Sequence, residues 1–246
     1  MQNIYDNNEF FKEYKKLRET DSNYNVLLEQ PAMKKLLPDI TDCNILDLGC
    51  GFGNNCMDFV NMGARSVTGV DISQNMIKMA VEKNSHRLIN YVNMPLEKLS
   101  DLQGKYDFAY SSLCFNYIEN FGKLINDIYN KLNNGATLLF SQEHPIVTAG
   151  AGVTNKYITD DETGRRVFCL SGYNDKSIRR VEKWNVDGVI KYHRTFSDII
   201  NTLCKTGFKI MHIEEPEPDD YALSKREGLK KEFIKPTFLI VKAVKE

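Results

Sequence analysis

Apolar residues recur through Ser141 in two interleaved rhythms. Short runs at 44–48, 66–70, 88–92, 106–111 and 136–141 have the length and makeup of buried strands. Between them, 53–62, 74–84 and 120–132 return an apolar residue every third or fourth position, which predicts helices. Ahead of this alternation, Phe10, Phe11, Tyr14 and Leu17 share one side of a predicted helix over 8–19. A second predicted helix runs from Val26 to Leu37, where Pro38 stops it. Strands alternating with helices predict an α/β fold: a doubly wound, mainly parallel sheet with helices on both faces. Right-handed crossovers then put a ligand at the C-terminal ends of the strands.

The alternation breaks after Ser141. Residues 145–195 are rich in glycine and charge and read as an insertion covering the pocket. Within it, Ile178–Trp184 and Val189–His193 predict a β-hairpin turning at Asp187-Gly188. A helix at 196–206, a strand at 208–214 and a last strand over Thr237–Ala243 resume the pattern, the final two linked by an acidic, proline-containing loop and a short helix.

Composition narrows the function. A chain of 246 residues suits one domain carrying an insertion, or one and a half domains. A net charge of −1 leaves no electrostatic footprint for nucleic acid or an anionic membrane. The cysteines lie at 43, 50, 56, 114, 169 and 204, with no C-x-x-C pair and no His/Cys cluster to suggest zinc, so no metal is expected. Scattered thiols, a polar N-terminus and no apolar run of the roughly 20 residues that span a bilayer predict a cytoplasmic protein without membrane insertion.

The chemistry concentrates between Ile45 and Gly53, Ile-Leu-Asp-Leu-Gly-Cys-Gly-Phe-Gly. An apolar strand runs into glycines at 49, 51 and 53, which permit a sharp turn and let a ligand approach the backbone. A dinucleotide turn is spaced G-x-G-x-x-G around a pyrophosphate; here the last glycine comes one residue sooner. Asp47 is also a poor neighbour for a pyrophosphate and suits a cofactor bearing a positive charge, such as the α-amino group of S-adenosylmethionine. Asp71 closes the next strand, where a carboxylate can accept from ribose hydroxyls.

This segment resembles the first motif of the class I S-adenosylmethionine-dependent methyltransferases. Residues 105–113, Lys-Tyr-Asp-Phe-Ala-Tyr-Ser-Ser-Leu, resemble that family's fourth-strand motif, and 132–141 resemble its turn and fifth strand. The likeness is greatest to the type 11, ubiquinone/menaquinone-biosynthesis-like group and extends through Glu143-His144-Pro145-Ile146 and Tyr192-His193-Arg194-Thr195. It implies a Rossmann-like, seven-stranded sheet of order 3-2-1-4-5-7-6 with the last strand antiparallel, one methyltransferase domain over 1–246, and an N-terminal helical lid over 1–40 carrying Tyr14 and Arg18. Asp47 is then expected to orient the methionine end, directly or through water. Gly49, Cys50, Gly51 and Gly53 form the turn, Asp71 the ribose contact, Ile72 and Met76 the adenine contact, and Ser111 a backbone contact to the methionine moiety. Pro95 stands where the family usually carries an acid, so a backbone N–H at Leu96 or Glu97 is expected to meet the adenine instead.

Transfer from a sulfonium is an in-line displacement that needs alignment and exclusion of water, with a general base only for a protonated acceptor. His144 and His193 are the candidates for that base; Tyr117, Glu143 and Arg194 are candidate pocket residues. The expected acceptor is a small molecule, with the chain a monomer or homodimer. A non-catalytic cofactor-binding module stays open, as does, less favoured by the glycine spacing, an NAD(P)-linked oxidoreductase.

Overall fold

The computed structural model describes residues 3–18, 20–150, 156–176, 178–183 and 186–246, with side chains described except at 17–18, 178–183 and 186–187. Helix α1 (Asn8–Arg18) is followed by one π-helical turn, Asn25–Glu29, that runs on into α2 (Gln30–Leu36). The expected single helix over 26–37 therefore begins with a widened turn. The alternation then proceeds as β1 (Asn44–Leu48), α3 (Asn54–Asn61), β2 (Ser66–Asp71), α4 (Gln74–Lys83), β3 (Ile89–Asn93), β4 (Tyr106–Ser111), α5 (Phe121–Lys131) and β5 (Leu132–Glu143). Strand β5 starts earlier than the 136–141 run because Gly135, at φ 77°, permits a register shift against β4 between Tyr106 and Phe108.

After β5 come a short helix α6 (Pro145–Thr148) and two hairpins, β6 (Lys156–Thr159) with β7 (Arg166–Cys169), and β8 (Ile178–Lys183) with β9 (Val186–Tyr192). The first hairpin gave no recognisable alternation in sequence. In the second, Lys183 pairs with Val186, so Asp187 and Gly188 lie inside β9 rather than at the turn. They carry its extra residue, which Gly188 accommodates at φ 75°. The chain closes with α7 (Phe196–Thr206), β10 (Phe208–Glu214), α8 (Asp220–Lys225) and β11 (Phe238–Lys245). A Thr195–Asp198 capping box starts α7, and Gly207 ends it in the left-handed region.

The main sheet has seven strands in the order β10-β11-β5-β4-β1-β2-β3, parallel from β3 to β5. Strand β11 is antiparallel to both neighbours. Counting only strands of this sheet, that is the expected 3-2-1-4-5-7-6. Alternation along the strands divides the core between two faces. Leu46, Leu48, Ala109, Leu138 and Phe140 meet α5 and α7, whereas Ile45, Phe108, Tyr110 and Leu139 meet α2 and α3. Asp47 falls on the α3 face. Among the described residues, no helix is long and apolar enough to cross a membrane.

Candidate active site

A cavity of about 410 Å³ opens over the C-terminal ends of β1, β2 and β4, where the topology predicts a ligand. Its floor is the turn after β1. The Gly49 and Cys50 N–H groups both donate to Val70 O, at 2.8 and 3.1 Å, which ties the turn to the end of β2. Gly51 has φ 54°, and a Cβ placed on it would meet nothing nearer than Tyr14 Oη at 3.9 Å, so its open side faces the cavity. Gly53 is different. It does not border the cavity but starts α3 at φ 75°, and a Cβ there would stand 2.2 Å from Tyr91 Oη.

Asp71 borders the cavity beside this turn. Its carboxylate accepts from Gly51 N–H (3.0 Å) and Ser73 N–H (2.9 Å). Burial raises its pKa to about 6 against the pull of those two bonds. Ile72, Met76, Leu96 and Glu97 continue the wall from Asp71, as the sequence places them. Asp47, by contrast, does not border the cavity. One residue before Leu48, it points to the α3 face, where Cys56 Sγ donates to it at 3.2 Å. Burial pushes its pKa up to about 7. Ser111 is likewise beneath the floor, with its hydroxyl donating to Leu48 O at 2.8 Å, and its neighbour Ser112 borders the cavity instead.

Buried carboxyls raised in this way have a defined effect on stability. A folded-state pKa above the ordinary carboxylate value favours folding fully below about pH 4, and for Asp47 that contribution is lost as pH rises through about 7. Asp47→Asn, neutral throughout, is therefore expected to melt close to the wild type at pH 4 and several degrees above it at pH 8. Thermal melts of the ligand-free proteins at both pH values check this; a difference that does not change with pH contradicts it.

The N-terminal segment closes the cavity from above. Asp6 accepts from Ser73 Oγ at 2.6 Å and from Asn75 N–H at 3.1 Å, so it fastens the segment to the first turn of α4. Negative charge is favourable at a helix start; burial opposes it here, yet the bonds from Ser73 and Asn75 hold the Asp6 pKa below its ordinary value. Tyr5 packs edge-to-face on Tyr14 (5.2 Å between centroids) and Tyr117 (6.2 Å), and Tyr14 on Phe52 of the β1 turn (5.6 Å). Tyr5, Tyr14 and Tyr117 all border the cavity. Burial, with Tyr117 and Tyr14 nearby, raises the Tyr5 phenol, and burial with Glu143 raises that of Tyr117. The side chain of Arg18 lies outside the described residues.

The far wall is built differently from the sequence expectation. No described residue of 145–195 borders the cavity; Tyr24 and Asn25, Leu113, Arg226, Thr237 and Phe238 do. The insertion reaches the site through Lys191, whose Nζ lies 2.6 Å from both oxygens of Glu143. Arg194 also stays outside the cavity. Its guanidinium donates to Phe115 O, Ile118 O and Glu119 O and stacks on Phe121, bracing the segment that carries Tyr117.

Neither histidine borders the cavity. His144 caps α6: its Nδ1 accepts from Ile146 N–H at 3.1 Å and its Nε2–H donates to Glu215 at 2.8 Å. Burial lowers its pKa more than Glu215 raises it. His193 Nε2–H donates to Tyr173 O at 2.8 Å, while Thr148 Oγ1 lies 2.7 Å from Nδ1. Both rings are thus engaged in holding the insertion, a correction to the general-base expectation.

A further element escaped the sequence reading. Glu29, fully buried in the π-helical turn, accepts from Ser112 Oγ (2.9 Å) and Ser141 Oγ through one oxygen. Its other oxygen accepts from Asn25 Nδ2 (2.6 Å) and Gln30 Nε2 (2.8 Å). Ser141 Oγ in turn accepts from Leu113 N–H at 3.1 Å, which holds Leu113 at φ 54°, a costly conformation for a bulky residue. Glu29 is far from Ser112 and Ser141 in sequence, and only its acidity inside an apolar helix could have marked it.

Comparison with known proteins agrees with this geometry. A family model described as a methyltransferase domain matches residues 46–140. An S-adenosylmethionine-dependent methyltransferase of Mesorhizobium loti superposes with a TM-score of 0.82 at 35% identity, over 92% of this chain and 99% of that one. An uncharacterized protein of Haemophilus influenzae is 36% identical over 87% of this chain and 85% of its own length. Over a shorter span, 40% of this chain and 38% of its own, a malonyl-(acyl-carrier protein) O-methyltransferase of Ilyobacter polytropus is 34% identical.

Proposed function

The chain belongs to the class I S-adenosylmethionine-dependent methyltransferases, type 11 group, and we propose on that premise that its acceptor is a small molecule methylated at O, N or C by in-line displacement. The enzyme's cofactor is S-adenosyl-L-methionine. When bound, it supplies a sulfonium-activated methyl group and departs as neutral S-adenosylhomocysteine. The observation that carries the reading is a cavity floor in which Gly51 leaves its open side free toward Tyr14 while its N–H holds the buried Asp71 carboxylate at the cavity edge. In this reading Asp71 accepts from the two ribose hydroxyls. Ile72 and Met76 pack against the adenine, and backbone at Leu96 or Glu97 meets its edge. Gly49 to Gly51 pass along the methionine portion. Asp47, one layer below, contributes negative charge beneath the cofactor's ammonium rather than a direct bond.

The protein's part is alignment and exclusion of water. Asp6 and the Tyr5–Tyr14–Tyr117 cluster hold the lid down on the cavity. Glu143 is neutralised by Lys191, the Tyr5 and Tyr117 phenols stay protonated, and both histidines are turned away. Among the described residues, the remaining carboxylates of the cavity, Asp71 and Glu97, belong to the cofactor end in this reading, which leaves no general base at the acceptor end and takes an acceptor atom that already carries a free lone pair at working pH. Incubation with methyl-labelled cofactor and a mixed small-molecule extract tests the proposal. Label is expected in a small product, with S-adenosylhomocysteine formed in equal amount; label only in macromolecules would contradict it.

A further inference from the structure

We propose that the methyl acceptor is an anion whose carboxylate is held by Arg226 at the outer end of the cavity, an assignment that rests on the methyl-transfer reading above. The cavity divides by chemistry. One end, from Gly49 to Gly51 with Asp71, Ile72, Met76, Leu96 and Glu97, is taken by the cofactor in that reading. The other end is lined by Tyr24, Leu113, Phe238 and neutral polar groups, and it holds two charged side chains, Glu143 and Arg226.

Those two charges are not equivalent. Glu143 is cancelled by Lys191, both of whose contacts to it are 2.6 Å. Arg226 has no ion pair with any described residue. Its near acidic neighbours are committed elsewhere, Glu227 to Lys230 at 2.9 Å and Glu232 to the N–H and hydroxyl of Thr237. Among the described residues that line the cavity, Arg226 is thus the one cation, and the Glu232 carboxylate, whose charge also reaches Tyr24, is turned to Thr237 rather than to the guanidinium.

The guanidinium is also held in place before any acceptor arrives. It stacks over the Tyr24 ring with its carbon 4.9 Å from the centroid, and one N–H donates to Ser22 O at 3.1 Å. Its own backbone N–H closes the last turn of α8 onto Ala222 O at 2.9 Å. One hydrogen bond to a carbonyl leaves the other donors of a planar fork, whose geometry matches the two oxygens of a carboxylate. A stacked, positioned arginine loses little freedom on binding an anion, so the interaction favours affinity.

The reacting end agrees with this choice. With no base among the described residues of the acceptor end beyond the Lys191-paired Glu143, a protonated amine could not be activated there, and Arg226 would repel it. An anionic acceptor meets neither obstacle, and its apolar body can lie along Leu113, Phe238 and Tyr117.

The test separates a small-molecule extract on an anion-exchange column at pH 7 and assays each fraction for label transferred from the methyl-labelled cofactor. Acceptor activity is expected in the retained, anionic fraction. With that fraction, Arg226→Gln should raise KM about 10- to 100-fold, the range for a lost hydrogen bond to a charged group, more than it lowers kcat. Arg226→Lys, which keeps the charge without the fork, should recover part of the loss. S-adenosylhomocysteine affinity, measured by calorimetry on the same variants, should stay within about twofold, since Arg226 lies away from the cofactor end; a merely structural role would lower it together with the melting temperature. Acceptor activity confined to the unretained fraction, or an unchanged KM in Arg226→Gln, would overturn the inference while leaving methyl transfer intact. No transfer to any fraction by protein that binds the cofactor would overturn the methyl-transfer reading itself.

Discussion

Asp71→Ala is expected to weaken binding of S-adenosylmethionine about 100-fold or more, because two hydrogen bonds to a charged group contribute roughly 1.5–3 kcal/mol each. Among the described residues, Asp71 is the cavity carboxylate hydrogen-bonded to the β1 turn, with each oxygen tied to backbone, at Gly51 and Ser73. Those ties fix the carboxylate in place and leave each oxygen able to accept again from a diol. The same account gives a pH dependence in the wild type. Burial raises the Asp71 pKa to about 6, so affinity should be full at pH 8 and fall as pH drops through 6 and the carboxylate gains a proton. The folded state does not rely on the ionised form, so the ligand-free variant should melt no lower than the wild type at pH 8. Titration calorimetry of both proteins at pH 8 and pH 5.5 checks both statements. An Asp71→Ala protein that binds as tightly as the wild type would remove the ribose contact from the account.

The largest stability effect is expected at Glu29. Replacing it with alanine strips one buried carboxylate from four donors, on Ser112, Ser141, Asn25 and Gln30. Each buried group left without a partner costs roughly 1–3 kcal/mol, and the serine hydroxyls can recover part of that by rotating. A net loss of about 3 kcal/mol corresponds to a fall in melting temperature of roughly 6–12 °C for a chain of this size. Leu113 is the sensitive point, since its left-handed backbone depends on Ser141, which Glu29 holds. Glu29→Gln should lie between, because an amide offers one oxygen where the carboxylate offers two. Thermal melts of the two variants test this; an Ala variant that melts with the wild type would show that the network holds nothing.

The parts of the site that were legible in sequence are those whose chemistry is local. Gly49, Gly51 and Gly53 announce a turn because three left-handed positions follow one strand, and Asp71 sits at a strand end that periodicity alone locates. What stayed hidden depends on side-chain direction and on contacts far apart in the chain. Asp47 precedes Leu48 and so falls on the α3 face beneath the floor, against Cys56. Glu143 borders the cavity, and the next residue, His144, turns to Glu215 beyond β10. Arg226 and Glu29 reach the site only once α8 and the π-helical turn have packed on the sheet, and nothing in their neighbouring residues signals it. The insertion was legible as an interruption, but among its described residues only Lys191 reaches the site, through Glu143, and the wall the insertion was expected to form comes from both ends of the chain instead.

The central claim is that the cavity between the β1 turn and the N-terminal segment is built for S-adenosylmethionine. Its most direct test is a calorimetric titration of the wild-type protein at pH 8 with S-adenosylhomocysteine, with NAD as the competing nucleotide. The account predicts saturable binding of S-adenosylhomocysteine at one site per chain, with micromolar affinity and no heat from NAD. Binding of NAD with no response to S-adenosylhomocysteine would contradict it.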